Sequence, residues 1–175
     1  MLLKTDGIQL LQDARYCAAE GFDFLVFNFR VGDPGKVSAE LVQEVMPWLS
    51  GTAAGLFTNT ELPEELIHMD FQILISESSQ LLQQYPQVPI RIQYGATTSP
   101  GATDVQIPLT ELQISGQVPP DCWAELPLLF SASYKPILSA CKGLSFGSEF
   151  YDGEGQLNYD AVDLWLSALE KEGLR

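Results

Sequence analysis

Asp6 stands where a short apolar run, "LLKT" (2–5), gives way to a turn and a helical pattern. A carboxylate at the C-terminal end of a buried strand can act as a general base, because α/β barrels open their binding cleft on that side. The same carboxylate can cap the helix expected to begin near Ile8, accepting its free N–H groups. Both readings fit the sequence. Lys4 lies two residues earlier on the same strand face, so the two residues can also form a buried ion pair. Asn28 and Arg30 end the second apolar run, "FDFLVFNF" (22–29), and share its inward alternation. Either can line a pocket or satisfy loop backbone. Glu149 and Asp152 belong to "GSEFYDGEG" (147–155), which reads as a solvated acidic loop with Phe146, Phe150 and Tyr151 as packing.

Charge narrows the partners. Asp and Glu total 23 against 9 Lys and Arg, a formal net charge of −14. Such a surface repels nucleic acid and anionic lipid, so neither is expected as a partner. It also opposes a phosphorylated substrate unless Lys, Arg or backbone N–H groups cluster locally. No such cluster is visible: Lys135 and Lys142 are too few. The cysteines, Cys17, Cys122 and Cys141, show no CxxC spacing and read as free thiols in a cytoplasmic protein, Cys17 and Cys141 within helices. His68, the lone histidine, closes the short helical stretch "ELPEELIH", so a His-rich zinc site is excluded. The N-terminus carries no secretory signal pattern, and no apolar run is long enough to span a bilayer.

These residues need a scaffold, and the hydrophobic pattern supplies one. Near-continuous apolar runs mark strands buried on both faces. They are 2–5, 22–29, 52–58, 71–76, 88–94, 104–109, "PLLFSA" (127–132) and "GLSFG" (143–147). Amphipathic helical segments lie between several of them. The first, 9–20, puts Leu10, Ala14, Cys17 and Ala18 on one stripe before Gly21 stops it. Ser38 caps the helix of 38–49, whose last turn Pro47 distorts. Segments 78–85, 134–142 and 159–173 complete the set, the last with Val162, Trp165, Leu166 and Leu169 on one face. Eight alternating units in one domain, 1–175, predict a closed (β/α)8 barrel over an open doubly wound sheet. The 175 residues fall short of the usual minimum of about 200. Residues 95–126 are rich in Gly, Pro, Ser and Thr, so the helices after strands five and six are expected to be reduced or missing.

The chain resembles the phosphoribosylanthranilate isomerase family of tryptophan biosynthesis. "KTDGIQLLQDARYCAAEGFDFLVFNF" follows the family's Lys-Ile-Cys-Gly-Ile strand and its Asp-Ala-rich helix. "AGLFTN" (54–59) matches the third strand, and "GLSFGSEFYDGEGQLNYDAVDLWLSAL" follows the family's C-terminal strand, loop and helix. The resemblance implies a metal-free, cofactor-free barrel that performs an Amadori rearrangement of an aminoaldose phosphate. The family's base is the cysteine of the first strand, and that position is Asp6 here. An ordinary Asp pKa of ~3.9 makes it a weak base unless burial raises it. The family's acid is an aspartate ending the sixth strand; here Pro108 or Leu109 stands there, and Glu111 is the nearest acid. Ser76 or its neighbour replaces the histidine after strand four. The arginine of the second loop meets Gly35, with Lys36 and Arg30 as stand-ins. The glycine-rich phosphate loops become "SASYKP" and Gly147-Ser148-Glu149, so Ser148 and Glu149 occupy the phosphate position.

The resemblance thus implies the family scaffold with an eroded site. If active, the base would be Asp6 and the acid Glu111 or Glu149, with Lys4, Asn28, Arg30, Lys36 and Ser148 contacting substrate. The alternative is a non-catalytic barrel that binds a small molecule at its C-terminal mouth or a protein partner.

Overall fold

The computed structural model describes residues 1–49, 51–95 and 99–175. Its eight strands are β1 Leu2–Asp6, β2 Phe24–Asn28, β3 Ala53–Phe57, β4 Ile73–Ser76, β5 Ile90–Tyr94, β6 Asp104–Pro108, β7 Cys122–Glu125 and β8 Gly143–Phe146. They run parallel in chain order and close into a barrel, with Leu2 of β1 opposite Gly143 of β8. The helices are α1 Leu11–Ala19, α2 Ala39–Val45, α3 Glu64–Ile67, α4 Ser79–Gln84, α5 Leu109–Ser115, α6 Lys135–Leu138 and α7 Tyr159–Lys171. The expected (β/α)8 barrel is therefore present, and the open sheet is not.

Two connections explain how it closes with so few residues. Between β5 and β6 the described residues hold no helix; residues 96–98 of the expected reduced segment lie outside them. After β6 the helix is shortened rather than missing, since α5 spans 7 residues. Two other helices, α3 and α6, are a single turn of 4 residues each.

One strand lies elsewhere than expected. The run 127–132 is loop, and the seventh strand is Cys122–Glu125. Leu128 and Leu129 are 40% and 77% exposed, which no barrel strand tolerates. The true β7 escapes an apolar reading because it is short and ends in a carboxylate. Other local expectations also shift. Leu10 precedes α1 and is exposed, while Asp13 takes a buried place on that helix. Cys141 lies beyond α6, although it is buried. Ser38 does cap α2, accepting from the Leu41 N–H at 3.3 Å, and Pro47 converts its end into a 3-10 turn, Met46–Trp48.

The core has two parts. Between barrel and helices, α7 buries Val162, Trp165, Leu166 and Leu169. The Trp165 indole N–H donates to the Pro127 carbonyl at 2.9 Å and its ring packs edge-on against Phe130, pinning the loop after β7. Inside the barrel, Val26, Phe57, Ile73, Ile75, Ile92 and Trp123 form an apolar cluster contributed by β2, β3, β4, β5 and β7. The β1, β6 and β8 side of the interior is polar instead, with Lys4, Asp104, Gln106 and Ser145 all buried. Every buried side-chain nitrogen or oxygen among the described residues has a hydrogen-bond partner. Gly143 belongs to this packing: a Cβ there would lie 2.5 Å from the Trp123 ring.

Candidate functional site at the barrel mouth

The polar half of the barrel interior is organised around Lys4. Its ammonium reaches Asp6 Oδ1 at 2.5 Å and Oδ2 at 2.6 Å, Gln106 Oε1 at 2.7 Å and Ser145 Oγ at 2.9 Å. Gln106 Nε2 donates to Asp6 Oδ2 at 2.8 Å, and the Ser145 hydroxyl donates to the same oxygen. Burial pushes the Lys4 pKa down while the Asp6 carboxylate pulls it up. Asp6 does not cap α1: the helix begins at Leu11, with Leu10 at the cap position and no side-chain cap bond. The carboxylate turns inward because a buried ammonium there would otherwise be uncompensated.

Above this network lies a cavity of about 310 Å³ at the C-terminal end of the strands. Asp6 and Glu125 line it from β1 and β7, and Phe57 and Tyr94 from β3 and β5. The aromatic rings of Phe57 and Tyr94 lie 5.3 Å apart, and Tyr94 Oη donates to Glu125 Oε2 at 2.8 Å. Burial, then the neighbouring Asp6 charge, push the Glu125 pKa up, with Tyr94, Lys4 and Gln106 opposing; the Tyr94 phenol is also raised, by burial and by Glu125. Gly147 makes room for that carboxylate, since a Cβ at 147 would sit 2.2 Å from Glu125 Oε1.

Arg30 lines the same cavity, paired to Asp33 Oδ2 at 2.5 Å, with its guanidinium 4.2 Å from the Phe57 ring centre. Asn28 holds it there, its Oδ1 accepting from the Arg30 backbone N–H at 3.0 Å. Opposite lies the loop after β8, where Tyr151 bridges to Leu157 and its hydroxyl meets Thr5 Oγ1 at 2.6 Å. Asp13 anchors this loop, accepting from Tyr159 Oη at 2.6 Å and the Leu157 N–H at 3.4 Å. Burial raises the Asp13 pKa and these two bonds lower it.

A second cavity, of about 230 Å³, shares Tyr94, Glu125 and Ser148 with the first and is also lined by Thr110 and Glu149. Glu149 Oε2 accepts a hydrogen bond from the Leu128 N–H at 3.1 Å, tying the loop after β8 to the loop after β7.

The structure therefore brings together Asp6, Asn28, Arg30 and Ser148 on one cavity, with Lys4 buried beneath it and Glu149 on the adjoining one. Two expected residues lie apart. Glu111 is exposed in the first turn of α5, and Lys36 is exposed; neither lines a cavity at the mouth. Ser76 is buried and accepts from the Ser78 N–H at 3.1 Å. Lys135 pairs with Glu172 at 2.9 Å, and Lys142, outside any helix, pairs with Asp104 at the start of β6. Among the described residues, no group of three or more His, Cys, Asp or Glu side chains is placed to hold a metal ion, and no helix is long and apolar enough to cross a membrane. Sequence reasoning missed Glu125, Tyr94, Phe57, Gln106 and Ser145. The misplaced seventh strand hid Glu125; the Pro119-Pro120-Asp121 turn before Cys122-Trp123 was the available signal. Inward alternation from Asp104 and Gly143 would have pointed to Gln106 and Ser145, and the last positions of β3 and β5 to Phe57 and Tyr94.

No protein-family model matches the sequence, and no curated protein sequence matches it. The fold does have close counterparts. Phosphoribosyl anthranilate isomerase from Thermus thermophilus superposes with a TM-score of 0.74 at 15% identity, over 98% of this chain and 99% of that one. TrpF from Jonesia denitrificans gives 0.79 at 11% identity over 100% of both chains. N-(5'-phosphoribosyl)anthranilate isomerase from Pyrococcus furiosus gives 0.70 at 11%, over 98% and 99%. The resemblance in sequence order thus holds for the fold over nearly the whole chain; at these identities it is the fold that is shared.

Proposed function

We propose that this barrel is a divergent relative of phosphoribosylanthranilate isomerase in which isomerisation of the phosphorylated substrate is weak or lost, and whose mouth receives a small molecule of different charge. One observation carries the reading. Among the described residues the only cation lining the mouth cavities is Arg30, and Asp33 already neutralises it. With Asp33 matched by Arg30 and Asp6 by Lys4, the acids left over are Glu125, Asp152 and Glu154 on the larger cavity and Glu149 on the smaller. Two unit charges of like sign about 5 Å apart repel by about 3 kcal/mol at an effective dielectric near 20. A phosphate dianion meets several such charges, and the Leu128 N–H that could bind it is taken by Glu149.

The base position supports the same reading. Asp6 Oδ2 accepts from Lys4, Gln106 and Ser145 and Oδ1 from Lys4, so taking up a substrate proton there would disturb that network. Glu111 faces solvent and supplies no acid to the cavity. The three free, buried cysteines suit a reducing compartment such as the cytoplasm. A second reading, a non-catalytic barrel acting through a protein partner, draws on the exposed Leu128 and Leu129 in the loop beside the mouth.

The test is direct. Purified protein incubated with phosphoribosylanthranilate and followed by proton NMR should form no more than traces of the aminoketose. Efficient turnover that disappears in Asp6→Ala would overturn the reading.

A further inference from the structure

The geometry points to a small organic cation as the ligand of the larger mouth cavity, its ammonium on Glu125 and its carbon frame against Phe57 and Tyr94. This rests on the preceding reading that the mouth does not receive a phosphate ester, and it goes further by naming the ligand's charge and its anchor.

The acids at the mouth are not equivalent. Asp6 is paired with Lys4, and Asp33 with Arg30 and the Gly35 N–H. Asp152 accepts from the N–H groups of its own loop, Glu154 and Gln156, at 2.9 Å each. Glu154 is exposed to solvent and stays hydrated. Glu125 differs from all four. It is half-buried on the cavity wall, receives the neutral Tyr94 hydroxyl, and has no Lys or Arg of the described residues within ion-pair distance. Lys4 lies near enough to act on Glu125 but is bound directly to Asp6, so the desolvated carboxylate has no counter-ion in contact, and an arriving ammonium would supply one. Its raised pKa reports the same imbalance.

The aromatic wall is suited to the same class of ligand. Phe57 already carries one cation on its face, the Arg30 guanidinium at 4.2 Å, and Tyr94 is tilted 40° to it. Ring faces attract cations through their quadrupole and repel anions. The glycine at 147 leaves the Glu125 carboxylate unobstructed where a side chain would collide with it. A cavity of about 310 Å³ accommodates a compact amine rather than a polymer.

Three probes of one frame and different charge test this: benzylamine, benzyl alcohol and benzoate, titrated at about 0.15 M salt with binding mapped by backbone amide shifts. Benzylamine should bind at least tenfold more tightly than benzyl alcohol, with shifts centred on residues 57, 94 and 125, and benzoate should not bind. In Glu125→Gln the benzylamine affinity should fall to that of benzyl alcohol, while benzyl alcohol itself is unchanged. Phe57→Leu should weaken both. If Glu125→Gln does not fold, the ranking of the three probes on the unmodified protein decides the matter. Equal affinities, benzoate binding, or shifts elsewhere on the acidic surface would overturn the proposal. Turnover of phosphoribosylanthranilate would overturn the preceding reading; charge-blind binding without turnover overturns this one alone.

Discussion

Lys4 and Asp6, two residues apart on β1, form an ion pair inside the barrel with the lysine side chain wholly removed from solvent. Each needs the other. Lys4→Met should leave Asp6 buried beside Gln106 and Ser145 without its counter-charge and cost about 3–5 kcal/mol. The double variant Lys4→Met, Asp6→Leu should recover most of that loss, because no charge remains to be desolvated. Urea unfolding of the two variants measures the coupling; additive losses would show that the two residues act separately.

Glu149 occupies the Leu128 N–H, so removing it should open that donor to an anion. Wild-type protein should bind no sulfate at the loops after β7 and β8. Glu149→Ala should bind it measurably, because one repelling charge is gone and one N–H is free. Crystals soaked in sulfate, or titrations followed by the Leu128 amide shift, give the answer. Clear sulfate density beside Glu149 in the unmodified protein would refute the charge argument.

The raised Glu125 pKa has a signed consequence for stability. The unfolded chain releases this proton at the ordinary carboxylate pKa of ~4.3, below the point at which the folded protein does. Between those two points the folded state binds more protons, so Glu125's contribution to stability is full at low pH and declines as pH rises. Glu125→Gln removes this decline. The variant should gain on wild type in thermal melts as pH rises above the ordinary carboxylate value of ~4.3, the difference vanishing at the acid end. A gain that instead grows toward acid pH would mean the carboxylate is stabilised by the fold.

Gly143 lies against the Trp123 ring so closely that a methyl group has no space. Gly143→Ala should force the indole or β8 to shift and cost about 1–3 kcal/mol, despite alanine's better backbone propensity. The indole N–H bond to Asp104 Oδ1, 3.2 Å, would be strained with it. A combined Gly143→Ala, Trp123→Phe variant tests the cause, because the smaller ring should restore part of the loss.

The barrel was legible because its strands are buried on both faces and so read as apolar runs; seven of the eight runs coincide with strands. The exception shows the limit of that signal. Cys122–Glu125 is only 4 residues long and ends in a carboxylate, whereas "PLLFSA" is apolar yet sits in a loop where Phe130 packs on Trp165 and Leu129 faces solvent. Composition cannot separate a strand from an apolar loop; only closure of the sheet does. Asp6 illustrates the same point at the site. Its position beside Lys4 was visible, but its partners Gln106 and Ser145 are 100 and 139 residues away in sequence.

What the sequence alone determined was the alternating α/β architecture, the place of Asp6, Asn28, Arg30 and Ser148 at or beside strand ends, and a formal net charge of −14. These depend on local periodicity and on totals, which need no coordinates. Tertiary structure decided which acids meet and which are already paired. Glu125 gains Tyr94 and a place above Lys4 only when β5, β7 and β1 are drawn into one ring, whereas Glu111, nearer in sequence to the family's acid position, is carried away on the first turn of α5. Strand closure brings distant residues within hydrogen-bond reach, and that proximity follows from the ring rather than from any local pattern.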